Sequence, residues 1–155
     1  MALRTALTAF LRRHAVVAAD SMAFIYHLQE HPRYVEATQR ILESWERGVP
    51  RGVTSVISLA EVLVKPLRDG NEAAAAEYLR LLTSFPNLQL IELDRQIAEA
   101  AARLRATHGL PLPDMIQAAT AIGRGATGFV TNDPGFRRVK ELDVLVLDEA
   151  VRIRR

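Results

Sequence analysis

Val53-Thr54-Ser55-Val56-Ile57-Ser58-Leu59-Ala60-Glu61 runs a strand straight into a helix. The β-branched run Val53 to Ile57 suits a buried, pleated strand, whereas apolar residues recur at helical spacing from Leu59 to about Arg68. Outward in both directions the same alternation repeats. Upstream, a helical pattern over Ala2 to Arg13 precedes a short apolar strand, Ala15 to Ala19, that ends in Asp20. Helical patterns follow at Met22 to Gln29 and Tyr34 to Arg47, and Gly48, Pro50 and Gly52 close the second. Downstream, Glu72 to Thr83 reads as helix and Leu88 to Leu93 as strand. Asp94 caps a long helix that stops at His108-Gly109. Pro111 and Pro113 introduce a helix from Asp114 to Ile122, Gly128 to Thr131 is a strand, and Val144 to Leu147 is the last one. Strands joined by helical crossovers predict an α/β fold: a three-layer, doubly wound, mostly parallel sheet of four or five strands flanked by helices.

Length and composition set the frame. The 155 residues, 49% of them hydrophobic, fit one domain over 1–155, with 1–14 as an extra N-terminal helix and 148–155 as a basic tail. There are no repeats, low-complexity tracts or linkers. With no cysteine, thiolate metal sites and disulfides are excluded. The apolar stretch Ala6 to Leu11 is bracketed by arginines and is too short for a membrane span or a signal sequence, so a soluble, cytoplasmic protein is expected. Net charge is only +2, and Lys65 and Lys140 are the only lysines. The remaining basic side chains are guanidiniums, which suit phosphate forks but equally reflect an alanine- and arginine-rich composition.

Doubly wound sheets bind ligands at the carboxyl ends of their strands. Asp20 ends the first predicted strand and Asp133 the fourth, Glu61 lies in the first turn of the helix leaving the second, and Asp114 opens its own helix. Each has an ordinary alternative. Asp20 could cap the helix beginning near Ser21, and Ser58-Leu59-Ala60-Glu61 matches a capping box. Asp114 could answer the helix dipole, and Asp133 precedes a proline suited to a first helical position. Together at one end of one sheet, however, four carboxylates match the chemistry of hard divalent cations such as Mg²⁺ and Mn²⁺. Such ions lower the pKa of a bound water and polarise a phosphoryl oxygen, which points to phosphodiester hydrolysis.

At these residues the sequence resembles a PIN domain, close to the toxin nucleases of bacterial VapBC-type toxin–antitoxin pairs. Val16-Val17-Ala18-Ala19-Asp20-Ser21 with Phe24-Ile25-Tyr26 resembles the family's opening strand, aspartate and small hydroxyl residue, and Ser58-Leu59-Ala60-Glu61-Val62 its second motif. Leu112-Pro113-Asp114-Met115-Ile116-Gln117-Ala118-Ala119 is similar to the third, and Val130-Thr131-Asn132-Asp133 with Phe136 to the fourth. The resemblance implies that Asp20, Glu61, Asp114 and Asp133 hold Mg²⁺ or Mn²⁺ and activate water against RNA, with Ser21, Thr131 and Asn132 supporting the site. It further implies a homodimer and a small antitoxin that lays a helix in a groove, while Arg33 and Arg51 would meet the RNA backbone. The dozen or so residues before the first strand depart from the family pattern.

Other constellations are weaker. His27 and His31 have the i, i+4 spacing of metal ligands but straddle a helix end before Pro32. The aromatic residues look too scattered for a base-stacking platform, and Asp69, Asp143 and Asp148 sit in turn-like contexts. A phosphoacceptor receiver would place adjacent acids after the first strand and a lysine after the last; a dehalogenase-type phosphatase would begin Asp-x-Asp. Asp20-Ser21-Met22 supplies neither. A non-catalytic RNA- or protein-binding module of the same fold stays open.

Overall fold

The structure, a computed structural model, describes residues 2–152. Five parallel strands form one sheet: β1 (Val16–Ala19), β2 (Arg51–Ser55), β3 (Leu88–Ile91), β4 (Gly128–Thr131) and β5 (Asp143–Val146). Their order across the sheet is β3-β2-β1-β4-β5. The chain winds outward in one direction through β2 and β3, then returns to the other side of β1 for β4 and β5. The reversal lies between β1 and β4, which pair with Ala19 opposite Val130.

Alternation along β1 divides the core. Val17 and Ala19 face one cluster, built with α1 (Ala2–Arg12), α2 (Ser21–Leu28), α3 (Val35–Glu46), α4 (Val56–Arg68), α5 (Glu72–Ser84) and α8 (Leu147–Arg152). Val16 and Ala18 face the other, formed with α6 (Arg95–His108) and α7 (Leu112–Gly123). This is the expected three-layer arrangement, with strands buried on both faces as parallel sheets require. The N-terminal helix is integral to the first cluster, since Leu7, Phe10 and Leu11 are all buried in it.

Several boundaries differ from those expected, for physical reasons. The run Val53 to Ile57 does not stay extended: β2 ends at Ser55, whose hydroxyl accepts the Ile57 N–H and so begins α4 at Val56. A local cap outweighs the strand preference of two β-branched residues. The capping box at Ser58 and Glu61 is therefore absent. Ser58 lies inside the helix, fully buried, and Glu61 occupies its second turn rather than its first. Helix α7 begins at Leu112, two residues before Asp114. The segment after 147 is not a basic tail as far as residue 152: it forms α8, and Arg152 pairs with Asp148 at 2.7 Å. Residues 153–155 of that expectation lie outside the described residues. Asp94 and Gly109 cap α6 as their types suggest, the glycine at φ 68°.

Candidate functional site

At the reversal point, β1 and β4 deliver two acids side by side. Asp20 follows β1 and its backbone N–H donates to Val130 O across the sheet at 3.2 Å. The Asp20 side chain is buried, 7% exposed. Its Oδ1 accepts the Met22 N–H at 3.1 Å and so caps α2, while Oδ2 accepts from the Thr131 hydroxyl at 2.6 Å. Capping and site-building are therefore one arrangement in this residue rather than rival explanations. Asp133, exposed, follows β4; Thr131 Oγ1 accepts its N–H at 3.0 Å, and Asp133 Oδ1 accepts from Gly135 N at 2.8 Å.

Asp114 and Glu61 approach from the helices. Asp114 stands in the first turn of α7, where no side chain caps the helix. Glu61 projects from α4 and is offset by a hydrogen bond from Ser21. Burial pushes the Asp20 carboxyl up to about 7, with the charges of Asp114 and Glu61 adding to the rise and the Thr131 and Met22 hydrogen bonds opposing it. Partial desolvation raises Glu61 and Asp114 as well, and to each a neighbour adds: Asp114 to Glu61, and Asp133 to Asp114. Asp20, Glu61 and Asp114 thus lie within electrostatic reach of one another, and Asp133 joins them through Asp114.

A buried chain of hydroxyls supports this end of the sheet from behind. Gln117 Nε2 on α7 donates to Ser58 Oγ on α4 at 2.8 Å, and Ser58 Oγ lies 2.7 Å from Thr54 Oγ1 on β2. Thr54 Oγ1 donates to Ala19 O at 2.8 Å. Because the Thr54 proton goes to the carbonyl, Ser58 must be the donor in the middle bond, and the chain has one direction. Thr54, Ser58 and Gln117 did not stand out in the sequence. Polar residues inside otherwise apolar segments are the one signal that could have found them.

The donor set is carboxylate and hydroxyl oxygen, the kind hard cations choose. Among the described residues no three acids or histidines converge closely enough to enclose an ion by themselves. Within that set, Asp20 has both oxygens oriented by hydrogen bonds and lone pairs left for a ligand.

The PIN domain family model matches residues 17–142. The chain belongs to the PIN domain family. The match begins inside β1, so α1 of this PIN domain precedes it. Similar solved structures include VapBC2 of Rickettsia felis bound to a DNA fragment from its promoter, with TM-score 0.67, 20% identity and coverage of 84% of this chain and 97% of that one. A toxin–antitoxin complex from Klebsiella pneumoniae has TM-score 0.62 and 24% identity over 83% and 95% of the two chains. The VapC20 toxin of Mycobacterium tuberculosis, which cleaves the sarcin–ricin loop, has TM-score 0.65 and 16% identity over 79% and 94%. Comparison with curated proteins finds no match.

The remaining expected site residues fall in different places in this PIN domain. Ser21 is buried at the start of α2 beside Glu61. Asn132 spans two elements: its Nδ2 donates to Tyr26 Oη at 2.9 Å and its Oδ1 accepts from Asp148 N at 2.8 Å. Arg33 is tied to the same cluster, because Asp148 Oδ1 accepts both its guanidinium at 2.7 Å and the Tyr34 hydroxyl at 2.8 Å. Tyr26, His31 and Tyr34 pack together, the two tyrosine rings stacked at 4.3 Å, so the aromatic residues are not all scattered. Asp148 is a junction of α8 rather than a turn residue, and Asp143 opens β5 and binds Arg13 and His14.

Arg51 lies apart from the acids. It begins β2, whereas the acids follow strand ends, so one strand length of about 13 Å separates it from them. It cannot touch a phosphate held at the carboxylates.

Proposed function

We propose that this PIN domain is a divalent-metal-dependent endoribonuclease and the toxin of a toxin–antitoxin pair. The carrying observation is the buried Asp20 carboxylate, gripped by Thr131 at 2.6 Å and coupled to Asp114 and Glu61 at the reversal point of the sheet, with Asp133 beside Asp114. A carboxylate raised by burial, with its neighbours' charges adding to the rise, is costly to keep ionised unless a cation is its working partner. Asp20, Glu61, Asp114 and Asp133 would hold Mg²⁺ or Mn²⁺, whose chemistry when bound is to lower the pKa of water and to polarise a phosphoryl oxygen.

The chain's own residues do the rest. Thr131 keeps Asp20 oriented and, through its bond to Asp133 N, sets the spacing of two acids. Glu61 and Asp114, whose charges both reach Asp20, are the carboxylates that would accept a proton from attacking water. Water adds to phosphorus, the bond to one ribose oxygen breaks, and the products are a phosphate monoester end and a hydroxyl end. Arg33, ion-paired with Asp148, whose backbone N–H donates to Asn132, would meet RNA backbone near the site.

The likeness to toxin–antitoxin structures supports a small antitoxin partner, and a homodimer acting in the cytoplasm is part of the same proposal. Among the described residues no helix is long and apolar enough to cross a membrane. Purified protein incubated with RNA and Mn²⁺ is expected to cut internally, and chelator or Asp20→Asn to stop it. Cleavage that survives both treatments would overturn the reading.

A further inference from the structure

Arg124, just past the end of α7, lines two depressions at once. The smaller, of about 230 Å³, lies where β1 and β2 begin and brings together Arg51, Arg124, Asn87 and Gln89 over Val16, Val53 and Leu88. No carboxylate lines it. The larger, of about 690 Å³, runs between α6 and α7 past Arg124 and Arg103 over Ile97, Leu104 and Ile122. Asp94 and Glu141 also border that groove, but Asp94 Oδ1 is engaged by the Ile97 N–H.

Among the described residues Arg51, Arg103 and Arg124 enter no ion pair. Of the arginines that follow the strands' carboxyl ends, Arg33 and Arg152 are bound to Asp148 and Arg137 to Glu149, while Arg138 reaches only His108 O. The acids lie where strands end, whereas Arg51 and Arg124 present unpaired guanidiniums where β1 and β2 begin, and Arg103 extends them along α6. The four carboxylates themselves repel a polyanion, so backbone away from the bond being cut gains from cationic partners elsewhere. Guanidiniums match phosphate oxygens in forked geometry, and each contact releases counterions.

We propose that Arg51, Arg124 and Arg103 form a phosphodiester-binding track that holds RNA backbone away from the bond being cut. This rests on the ribonuclease reading for its ligand and deepens it: the substrate is RNA long enough to pass the sheet edge by several nucleotides, since about one strand length separates track and acids.

The test is equilibrium binding of an uncuttable, unstructured 2′-O-methyl RNA, in chelator, across a salt series. Arg51→Gln with Arg124→Gln is expected to weaken binding roughly tenfold at physiological salt and to make the salt slope shallower by about 1.4, at about 0.7 per lost contact. Arg51→Lys with Arg124→Lys should keep the slope. Wild-type affinity and slope in the glutamine variant would overturn the track. A readout without variants is photo-crosslinking of the same RNA to wild-type protein: crosslinks on peptides carrying Arg51 and Arg124 are expected, and crosslinks confined to the acids' end of the sheet would overturn it. The two readings fail separately. Protein that cuts no RNA with Mn²⁺, yet binds it through these arginines, refutes the nuclease and leaves the track standing.

Discussion

The Thr131 hydroxyl joins two acids that are far apart in sequence: it donates to Asp20 Oδ2 at 2.6 Å and accepts from Asp133 N at 3.0 Å. Parallel pairing of β1 with β4 sets Ala19 opposite Val130, so the residues that follow each strand arrive together. Thr131 is fully buried, and its donor and acceptor capacity is engaged within the site. One side chain therefore favours the charged form of Asp20 and ties its placement to that of Asp133.

Thr131→Val is expected to keep the β-branched packing while leaving Asp20 Oδ2 and the Asp133 N–H without partners. An unsatisfied buried polar group costs about 1–3 kcal/mol, so urea melts should show a loss of that order. Losing a hydrogen bond that favours the charged form should also push Asp20 further up and weaken Mn²⁺ binding at neutral pH. Thr131→Ser should restore both. Calorimetric Mn²⁺ titration of the three proteins checks this, and unchanged affinity in the valine variant would remove Thr131 from the site.

The raised Asp20 carboxyl gives the metal-free protein a distinctive pH dependence. Between 3.8 and about 7 the folded chain keeps a proton that the unfolded chain has released. Proton uptake is larger in the folded state, so stability must fall as pH rises through that window. At roughly 1.36 kcal/mol per unit the full effect is on the order of 4 kcal/mol. Glu61 and Asp114 are raised too and act in the same direction at the lower end. His27, lowered by burial, acts oppositely: its contribution grows as pH rises through its folded pKa toward 6.5. The difference between wild type and Asp20→Asn isolates Asp20. Chemical melts of both in chelator at pH 5 and pH 8 should show wild type losing stability relative to the variant at the higher pH.

How much of this was legible in the chain depended on whether the cause was local. Asp94 and Gly109 announce the ends of α6 because capping involves near neighbours. The five strands and the acids after β1 and β4 were readable because apolar runs and their termini are sequential facts. The end of β2 was not, since Val56 and Ile57 favour strand locally and the Ser55 cap turns them into α4. Arg51 and Arg33 looked equivalent as exposed guanidiniums, and only the direction of β2 and the position of Asp148 send them to different ends of the sheet. Gly52 reads as part of a turn. Its requirement comes from Trp45 instead, because a Cβ there would sit 2.6 Å from the indole. Contacts between distant segments, including the Gln117–Ser58–Thr54 chain, leave only a faint mark: a polar residue where an apolar one is expected.

That chain supports a prediction about cooperativity. Ser58→Ala removes the middle link, leaving the Gln117 amide and the Thr54 hydroxyl with one fewer partner each in a fully buried place. A loss of about 1–3 kcal/mol is expected. Gln117→Leu should cost less on its own, because Ser58 can still donate to Thr54. In the double variant the costs should not add, and a double-mutant cycle should return a coupling of at least about 0.5 kcal/mol. Strict additivity in denaturant melts would mean that the three side chains do not act as a unit.

Asp114 offers the sharpest contrast between a helix cap and a metal ligand. Its charge raises both Asp20 and Glu61, and Asp133 in turn raises Asp114, so among the four acids it is the meeting point of the repulsion. No side-chain cap bond is made at the start of α7, which leaves only the helix dipole in its favour. That interaction contributes about 0.3–1 kcal/mol. Removing one carboxylate charge from among three others should exceed it modestly, even after screening at a half-exposed position. Asp114→Asn is therefore expected to raise the melting temperature of the metal-free protein, by the equivalent of about 1 kcal/mol, while abolishing cleavage. Wild type should instead gain stability from Mn²⁺, by about 2.7 kcal/mol at a hundred times the dissociation constant, and the variant should lose most of that gain. If Asp114 served only α7, the signs would reverse: the variant would melt lower in chelator, and Mn²⁺ would shift both proteins equally. Thermal melts of the two proteins with chelator and with Mn²⁺ separate these outcomes, because the cap and the ligand predict opposite signs in the first condition and different magnitudes in the second.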